Sequence, residues 1–196
     1  MSRGRLVIRK WSEFRNGSTE CSNQLNSSWD VWYEDRSSSS NTEAEWGGNQ
    51  QQVATFSTIE EFWGIYGRLR PVNDLPENGN YHYFKTGIKP SWEDEANKDG
   101  GSWRLGLHIN DHYLEERWQS ILLSVIGETL DPTGSSVCGV SFLKKSKGYR
   151  VEVWMKDAAN EREIATVGRR LRALNAVEKR EKMEFRKHGG DVKYIL

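Results

Sequence analysis

The amino-acid sequence predicts an α+β fold, in which one mostly antiparallel β-sheet carries about three α-helices on one of its faces. Stretches with strand-like alternation and stretches with helical periodicity are interspersed along the chain. Several neighbouring strands lack the long helical connection that a parallel pair needs, which favours antiparallel pairing. The 196 residues suffice for one sizeable core. We expect a flexible arm over residues 1–28, followed by a single domain over residues 29–196.

Each element of the first half has a local signal. Residues 29–33 and 53–56 alternate as short strands, and the polar run over residues 37–42 between them is expected to be an exposed loop. A Ser-Thr pair followed by two glutamates, within residues 57–61, has the capping-box pattern of a helix start. The helix that follows carries one apolar and three aromatic residues: Ile59, Phe62, Trp63 and Tyr66.

The second half predicts two further helices and five strands. Apolar residues at helical spacing mark the first helix, and they are Leu114, Trp118, Ile121, Leu122 and Val125. The second helix spans about residues 160–174. The expected strands cover residues 81–85, 103–109, 137–145, 149–155 and 192–196. A long loop fills residues 86–102, a tight turn at Lys147-Gly148 joins the strands over residues 137–145 and 149–155, and a basic loop precedes the last strand.

Composition argues against several classes of protein. No stretch approaches the roughly 20 apolar residues of a membrane-spanning helix. The first apolar run stops after three residues, at positions 6–8, which is too short for an export signal. The two cysteines, Cys21 and Cys138, lack C-x-x-C spacing, so neither a disulfide framework nor a thiolate zinc site is expected. A reducing compartment is the simplest interpretation.

The charges are balanced overall but not along the chain. Residues 1–142 carry 13 Lys+Arg and 20 Asp+Glu, a balance of 13 − 20 = −7, whereas residues 143–196 carry 15 and 8, a balance of 15 − 8 = +7. The basic C-terminal quarter indicates a local anion site. Mutual neutralisation of the two parts across the fold explains the same numbers equally well.

Two of the nine tryptophans stand apart from the expected core. Trp46 and Trp92 each lie in a loop among polar and turn-forming residues, where an exposed indole is costly unless it contacts something. Burial of each ring as a plug under its loop is one explanation. The other is a pair of aromatic plates for a flat ligand, and Glu93 beside Trp92 could then accept two N–H bonds from a purine edge.

A basic hairpin adds a second binding element. Alternation along residues 149–154 places Arg150, Glu152 and Trp154 on one face of a strand. Lys145 and Lys147 precede it around the turn. An indole and three cations around one hairpin would suit a nucleotide, with the base at the aromatic end and the phosphates at the basic end.

Six motifs occur in an order and spacing that resembles the eukaryotic translation initiation factor 4E family, the mRNA cap-binding proteins. They are Trp46, residues 56–63 (FSTIEEFW), 89–95 (KPSWEDE), 100–103 (GGSW), 126–128 (IGE) and 137–140 (VCGV). The resemblance covers about residues 29–172 together with the closing strand. It implies a sheet curved around the cap, with the helices on the convex face.

The resemblance also implies roles for individual residues. Trp46 and Trp92 would sandwich the 7-methylguanine, Glu93 would bond its ring N–H and amino group, and Trp154 would touch the methyl group. Among the cations, Lys145 and Arg150 match direct contacts to the triphosphate, and Lys147 matches a secondary one.

A dorsal surface is implied as well, and it would bind a scaffold initiation factor or inhibitory binding proteins through a Tyr-x4-Leu-φ helix. It maps to Ile59, Trp63, Leu122, Leu123 and Gly127. The implied protein is a monomeric, cytoplasmic or nuclear translation initiation factor that binds capped mRNA. It is not an enzyme, and it needs no cofactor or metal ion.

Several positions depart from the family's pattern. Ser102 stands where a basic residue is frequent, and Lys145 replaces a usual arginine, which loses bidentate geometry. Gln119 and Ser120 replace an apolar-acidic pair on the dorsal side. A short basic C-terminal loop could contact nucleotides beyond the cap phosphates, although a solvated charge run is the favoured interpretation. Its cations are Lys179, Arg180, Lys182, Arg186 and Lys187. Together these departures suggest a divergent, protozoan-type paralogue.

Three other functions remain open at this point. The protein could repress translation while binding the cap, or it could be a family member that serves only as a scaffold. Loop tryptophans beside carboxylates also line sugar sites, so a carbohydrate-binding module or glycoside hydrolase is a further alternative. His108 and His112 have metal-like spacing, but a third ligand is missing, so we expect them to be structural or solvated.

Overall fold

Eight strands form one antiparallel sheet in the computed structural model, which describes residues 22–35, 50–174, 176–178 and 181–196. The strand order is β2-β1-β3-β5-β6-β4-β7-β8, and three α-helices complete the α+β fold that the sequence predicts. The strands are β1 (Gln24–Asp35), β2 (Gln50–Thr58), β3 (Gly79–Lys85), β4 (Gly101–His108), β5 (Val137–Lys145), β6 (Gly148–Met155), β7 (Met183–Lys187) and β8 (Val192–Ile195). The helices are α1 (Ile59–Tyr66), α2 (Leu114–Ile126) and α3 (Glu161–Ala173), and a short 3-10 turn covers Val72–Asp74.

The core lies on the convex face of the sheet, beneath the helices. Successive side chains of a strand point to opposite faces, and in β6 Val151 and Val153 are buried in the core, whereas Arg150 and Trp154 lie on the opposite, concave face. The predicted stripe of α2 is buried throughout, from Leu114 to Val125. Each strand thus supplies one row of residues to stability and another to the concave face.

The predicted start of α1 has the expected capping geometry. Thr58 is the N-cap, and its hydroxyl accepts a hydrogen bond from the backbone N–H of Glu61 at 3.1 Å. The Glu61 carboxylate in turn accepts one from the backbone N–H of Ser57 at 2.8 Å. These reciprocal bonds satisfy N–H groups that a helix start leaves without intrahelical partners.

Strand β1 begins five residues earlier than the sequence predicts. Gln24 pairs with Thr58 of β2, and the Ser27 hydroxyl donates to the Glu128 carboxylate at 2.6 Å. Residues 24–28 of the predicted arm therefore belong to the sheet, and residues 1–21 of that arm lie outside the described part of the chain. The predicted loop over residues 37–42 also lies outside it.

Strand β7 lies where the sequence predicts a basic loop, so that prediction is wrong for the described residues. Met183 and Phe185 are fully buried, and the strand pairs with β4 from Leu105↔Met183 to Gly101↔Lys187. Alternate residues of β7 are charged, because they face away from the core. No helix among the residues described is both long and apolar enough to cross a membrane.

Candidate functional site

The loop between β3 and β4 presents Trp92 to solvent. The indole is 53% exposed, so of the two explanations left open by the sequence, burial as a plug under the loop does not hold for this ring. Asn97 is fully buried inside the loop, and its amide donates to the carbonyls of Lys89 and Ser91, both at 2.9 Å. The Asp94 carboxylate accepts from the backbone N–H of Lys89 at 3.0 Å. These bonds hold the loop in one shape while its largest side chain stays outside.

The neighbouring carboxylate of Glu93 is also exposed. The Ser91 hydroxyl donates to its Oε2 at 3.0 Å, which orients the group without burying it. A carboxylate with this exposure can accept further N–H donors from a ligand stacked on Trp92.

Trp46, the other predicted plate, lies outside the described residues. The chain reappears at Gln50, whose side-chain amide donates to the carbonyl of Pro90 at 3.2 Å. Gln50, the first residue of β2, therefore lies beside the loop that carries Trp92.

Trp154 lies on the concave face at the same end of the sheet as this loop. Its ring is partly exposed and packs against Phe84 at 5.4 Å and His188 at 4.3 Å between centroids. Its indole N–H is buried and has no hydrogen-bond partner among the residues that the structure describes, and the same holds for Nε2 of His188. Burial, followed by the nearby charge of Arg104, lowers the pKa of His188 to about 4, so the ring stacked on Trp154 is neutral at physiological pH.

The cations of the β5–β6 hairpin lie at the other end of β6. The turn is formed by Ser146 and Lys147, because Lys145 pairs with Gly148. Gly148 has φ +148°, and a Cβ there would come within 2.6 Å of the Leu107 carbonyl oxygen, so glycine is required at this position. Lys147 is exposed and Lys145 half-buried.

The side chain of Arg150 is 39% exposed and forms an ion pair with Glu152, at 2.7 Å between Nε and Oε1. Glu152 is nearly buried, between Arg150 and Trp154 along β6. The Nε atom of Arg104 on the adjacent β4 lies 3.6 Å from the same carboxylate oxygen and donates to the Ser102 hydroxyl at 3.2 Å. A guanidinium group therefore reaches the region that Ser102, in place of a basic residue, leaves without charge.

The middle of the concave face is a buried polar layer. The Asn80 amide donates to Glu34 Oε2 at 2.8 Å, His82 Nδ1 lies 2.8 Å from the Ser141 hydroxyl, and His82 Nε2 lies 3.5 Å from Glu34 Oε2. This brings together a serine, a histidine and a carboxylate. The Ser141 residue is only 1% exposed, so its hydroxyl is shielded from a substrate. In the part of the chain that the structure describes, no group of three or more metal-binding side chains could hold a metal ion.

The predicted dorsal surface is only partly available. Ile59 and Trp63 of α1 are 42% and 44% exposed, Leu123 is half-buried, and Gly127 is exposed at the end of α2. Leu122 is fully buried in the core, so its predicted role in partner binding is wrong. It belongs to the stripe of α2 that faces the sheet, and its neighbour Leu123 lies nearer the surface.

Sequence reasoning missed two residues of this site, Arg104 and His188. Arg104 was detectable from the alternation of β4, which places it on the same face as Ser102. His188 follows β7, and it had no local signal because that strand was predicted as a loop.

The sequence and the fold of this chain are both similar to those of known proteins. The family model described as eukaryotic initiation factor 4E matches residues 24–194. The eukaryotic translation initiation factor 4E of Candida albicans is 39% identical over 167 residues, covering 84% of this chain and 78% of that protein. Matched segments span 59% to 79% of the length of the curated relatives.

Two solved structures are similar over nearly their whole length. The C. elegans eIF4E-3, in complex with the 4E-binding protein Mextli and cap analog, has a TM-score of 0.80 at 27% identity, covering 89% of this chain and 99% of that one. The Ascaris suum eIF4E-3 with m2,2,7G cap has a TM-score of 0.81 at 28% identity, covering 89% of this chain and 98% of that one.

Proposed function

Because the chain belongs to the eukaryotic initiation factor 4E family, we propose that it binds the 7-methylguanosine 5′ cap of mRNA and acts in translation initiation. The observation that carries this proposal is the half-exposed Trp92 on a rigid loop, beside the exposed carboxylate of Glu93. Similar proteins crystallised with cap ligands support it.

The base is recognised through its charge. Methylation at N7 gives guanine a delocalised positive charge, so stacking it between Trp92 and Trp46 adds a cation–π contribution of about 0.5–2 kcal/mol to stacking worth about 1–3 kcal/mol per base. Hydrogen bonds that the ring N–H and the amino group of the base donate to the charged Glu93 contribute roughly 1.5–3 kcal/mol. Trp154, stiffened by Phe84 and His188, then contacts the methyl group.

The triphosphate provides the rest of the affinity. Association costs at least about 4 kcal/mol, so recognition of the base alone gives weak binding. Lys145 and Arg150 would contact the phosphates directly, with Lys147 as a secondary contact. Arg150 pairs with Glu152, so the arginine must divide its donors between that carboxylate and the phosphates. Binding through such cations weakens as salt rises.

The test is a titration of tryptophan fluorescence with 7-methyl-GTP and with GTP. We expect 7-methyl-GTP to quench the emission and to bind more tightly than GTP, because only the methylated base is cationic. Trp92→Ala or Trp46→Ala should abolish retention on a cap-analogue resin, since each removes one plate. Trp63→Ala is the matched control, because Trp63 is also half-exposed but lies on α1. Normal retention of the Trp92→Ala protein would refute the sandwich.

The dorsal surface supports a second part of the proposal. Ile59 and Trp63 expose a large apolar area on α1, and a similar protein has been crystallised with a 4E-binding protein. We propose that this surface, with Leu123 and Gly127 at the end of α2, binds the apolar side of a Tyr-x4-Leu-φ helix from a scaffold initiation factor or a binding protein. Apolar anchors on one face of a helix are typical of such recognition.

In this proposal the chain is a binding protein that acts in the cytoplasm, and it is not an enzyme. If the chain represses translation instead, cap binding would persist while a reporter mRNA bound by the protein was translated less. A scaffold-only protein would show no quenching by 7-methyl-GTP and would still bind the helical peptide. A carbohydrate-binding module would be quenched by an oligosaccharide, and salt would not weaken that binding.

A further inference from the structure

A second group of cations lies on the concave face, beside the proposed phosphate contacts and towards the β7 edge. Strands β4, β6 and β7 carry it, and its four cations are Arg104, Arg150, Lys182 and Arg186. We call these four residues, together with Gly106 between them, the basic platform. Only Arg150 belongs to the set of predicted cap contacts.

Two carboxylates each form ion pairs with two cations of the platform, and the platform keeps a net positive charge. Arg150 and Arg104 share Glu152, at 2.7 and 3.6 Å, and Arg186 and Lys182 share Glu184, at 3.0 and 3.3 Å. Four positive and two negative groups leave a net charge of 4 − 2 = +2. Burial holds the pKa of Arg104 below its usual value, and the charges of Arg150 and Arg186 act in the same direction.

The centre of the platform is bare backbone. Gly106 pairs with Arg150 of β6, and the register of β4 with β7 (Leu105↔Met183), continued by one residue, sets Lys182 on its other side. Within the described part of the chain, a Cβ added to Gly106 would meet no atom within 4 Å. The glycine therefore forms an open floor flanked by a guanidinium and an ammonium group, across about 10 Å, or two strand spacings.

Charge and position select the occupant. A polyanion that leaves the proposed triphosphate contacts at Arg150 meets Gly106 next, then Lys182 and Arg186. We propose that the basic platform holds the ribose-phosphate chain of the nucleotides that directly follow the cap, with the backbone crossing over Gly106. This inference rests on the proposed cap-binding function and extends it from the cap to the RNA attached to it. Contacts of this kind carry no sequence preference, because phosphates are the same at every nucleotide.

Two variants separate charge from shape. Lys182→Gln removes one cation and leaves the floor open, whereas Gly106→Val fills the floor and leaves every charge in place. Valine is favoured in strands, and the space around Gly106 is open. We therefore expect the Gly106→Val protein to fold normally. Arg169→Gln is the matched control, because Arg169 is exposed on α3, on the convex side.

The measurement compares three ligands over a range of salt: 7-methyl-GTP, a capped RNA of about six nucleotides, and the same RNA without a cap. We expect the wild-type protein to bind capped RNA more tightly than 7-methyl-GTP. Both variants should weaken capped-RNA binding about threefold to tenfold and leave 7-methyl-GTP within twofold. Lys182→Gln should also reduce the slope of log affinity against log salt by about 0.7 to 1. The control should change neither affinity.

Two results would overturn the inference: capped RNA that binds no more tightly than 7-methyl-GTP, or capped-RNA binding that neither variant weakens. Failure of 7-methyl-GTP itself to bind would instead refute the proposed function. In that case the uncapped RNA tests separately whether the platform binds RNA. Salt-dependent binding that Lys182→Gln weakens would support it, and binding indifferent to both variants would refute it.

Discussion

The packed rings of Trp154 and His188, tilted by 38° to each other, show how single residues shape the concave face. The two ring centroids are 4.3 Å apart, and burial lowers the pKa of the imidazole to about 4. A protonated ring in this place would add a cation beside the position proposed for a cationic base, and the two would repel. Keeping His188 neutral therefore suits the ligand that this end of the sheet is proposed to take.

The depressed pKa of His188 predicts a pH dependence of stability. Between about pH 6.5, where an unfolded histidine titrates, and pH 4, where folded His188 does, the unfolded chain binds more protons. The free energy of unfolding should therefore fall as pH is lowered through this window. Urea unfolding at several pH values would measure the slope, and His188→Phe should remove its own share while keeping the stack on Trp154.

His112→Phe is the control for that experiment, because His112 is exposed before α2. The carboxyl groups of Glu128 and Asp131 also have lowered pKa values, but their contribution is lost at lower pH, below the unfolded carboxyl values near 4. A His188 signal that titrates near pH 6.5 in NMR spectra would contradict the account.

Residues differed in how well the sequence predicted them. The exposure of Trp92 and Glu93 could be anticipated because polar and turn-forming neighbours leave a loop little core to pack against. The exclusion of Leu122 from the dorsal surface could have been read from the sequence, because Leu122 belongs to the apolar stripe of α2, and such a stripe faces the core. Arg104 was detectable from the alternation of β4, whereas His188 gains its role from the pairing of β7 with β4, which composition does not reveal.

At the scale of elements, Arg117 ties α2 to the segment between α3 and β7. Its guanidinium group donates to the Ala176 carbonyl at 2.7 Å and to the Asp111 carboxylate at 2.5 Å, and it also binds the Glu181 carboxylate. The arginine is 9% exposed. A nearly buried cation is tolerated here because two carboxylates and a carbonyl surround it.

Removing this cation should destabilise the fold markedly. Arg117→Ala leaves Asp111 and Glu181 without their partner, and breaking a buried pair from one side costs about 3–5 kcal/mol. Urea unfolding followed by circular dichroism would measure the loss. Arg169→Ala, an arginine exposed on α3, should change stability by less than about 0.5 kcal/mol. If both substitutions lowered the free energy of unfolding equally, the Arg117 network would contribute no more to stability than an exposed arginine.

The helices were predictable because several independent signals agree on each of them. In α1 the cap residues, and in α2 the buried stripe, follow local rules that operate within one turn or two. Strand β7 has five residues flanked by charge, and only its pairing with β4 makes it a strand. Strand ends were also misplaced, since the early start of β1 depends on contacts with Glu128 and Thr58 that lie far away in sequence.

At the scale of the whole molecule, the two proposed binding surfaces lie on opposite sides of one sheet. The concave face and its loop carry the residues proposed for the cap, and α1 and the end of α2 carry those proposed for a protein partner. The core of strands and helices lies between them. We therefore expect the two binding activities to be separable by single substitutions.

Trp63→Ala should abolish binding of a Tyr-x4-Leu-φ peptide, because it removes the largest exposed apolar group of α1. It should leave the affinity for 7-methyl-GTP within about twofold, since mutations at distant, independent sites act additively. Isothermal titration calorimetry of both ligands would test this, with Trp92→Ala as the reciprocal control. Peptide binding that survives in the Trp63→Ala protein would place the partner surface elsewhere.

The strict alternation within β4, β6 and β7 has a consequence for how such a protein can diversify. Along each strand, one residue packs in the core and the next lies on the concave face. Substitutions at the concave positions would therefore change ligand preference while the interior stays intact. A one-residue deletion would have the opposite character, because shifting a strand by one position turns its apolar row outward and its charged row inward. In this part of the sheet, point substitutions can therefore yield new specificities, whereas changes in strand length would disrupt the fold.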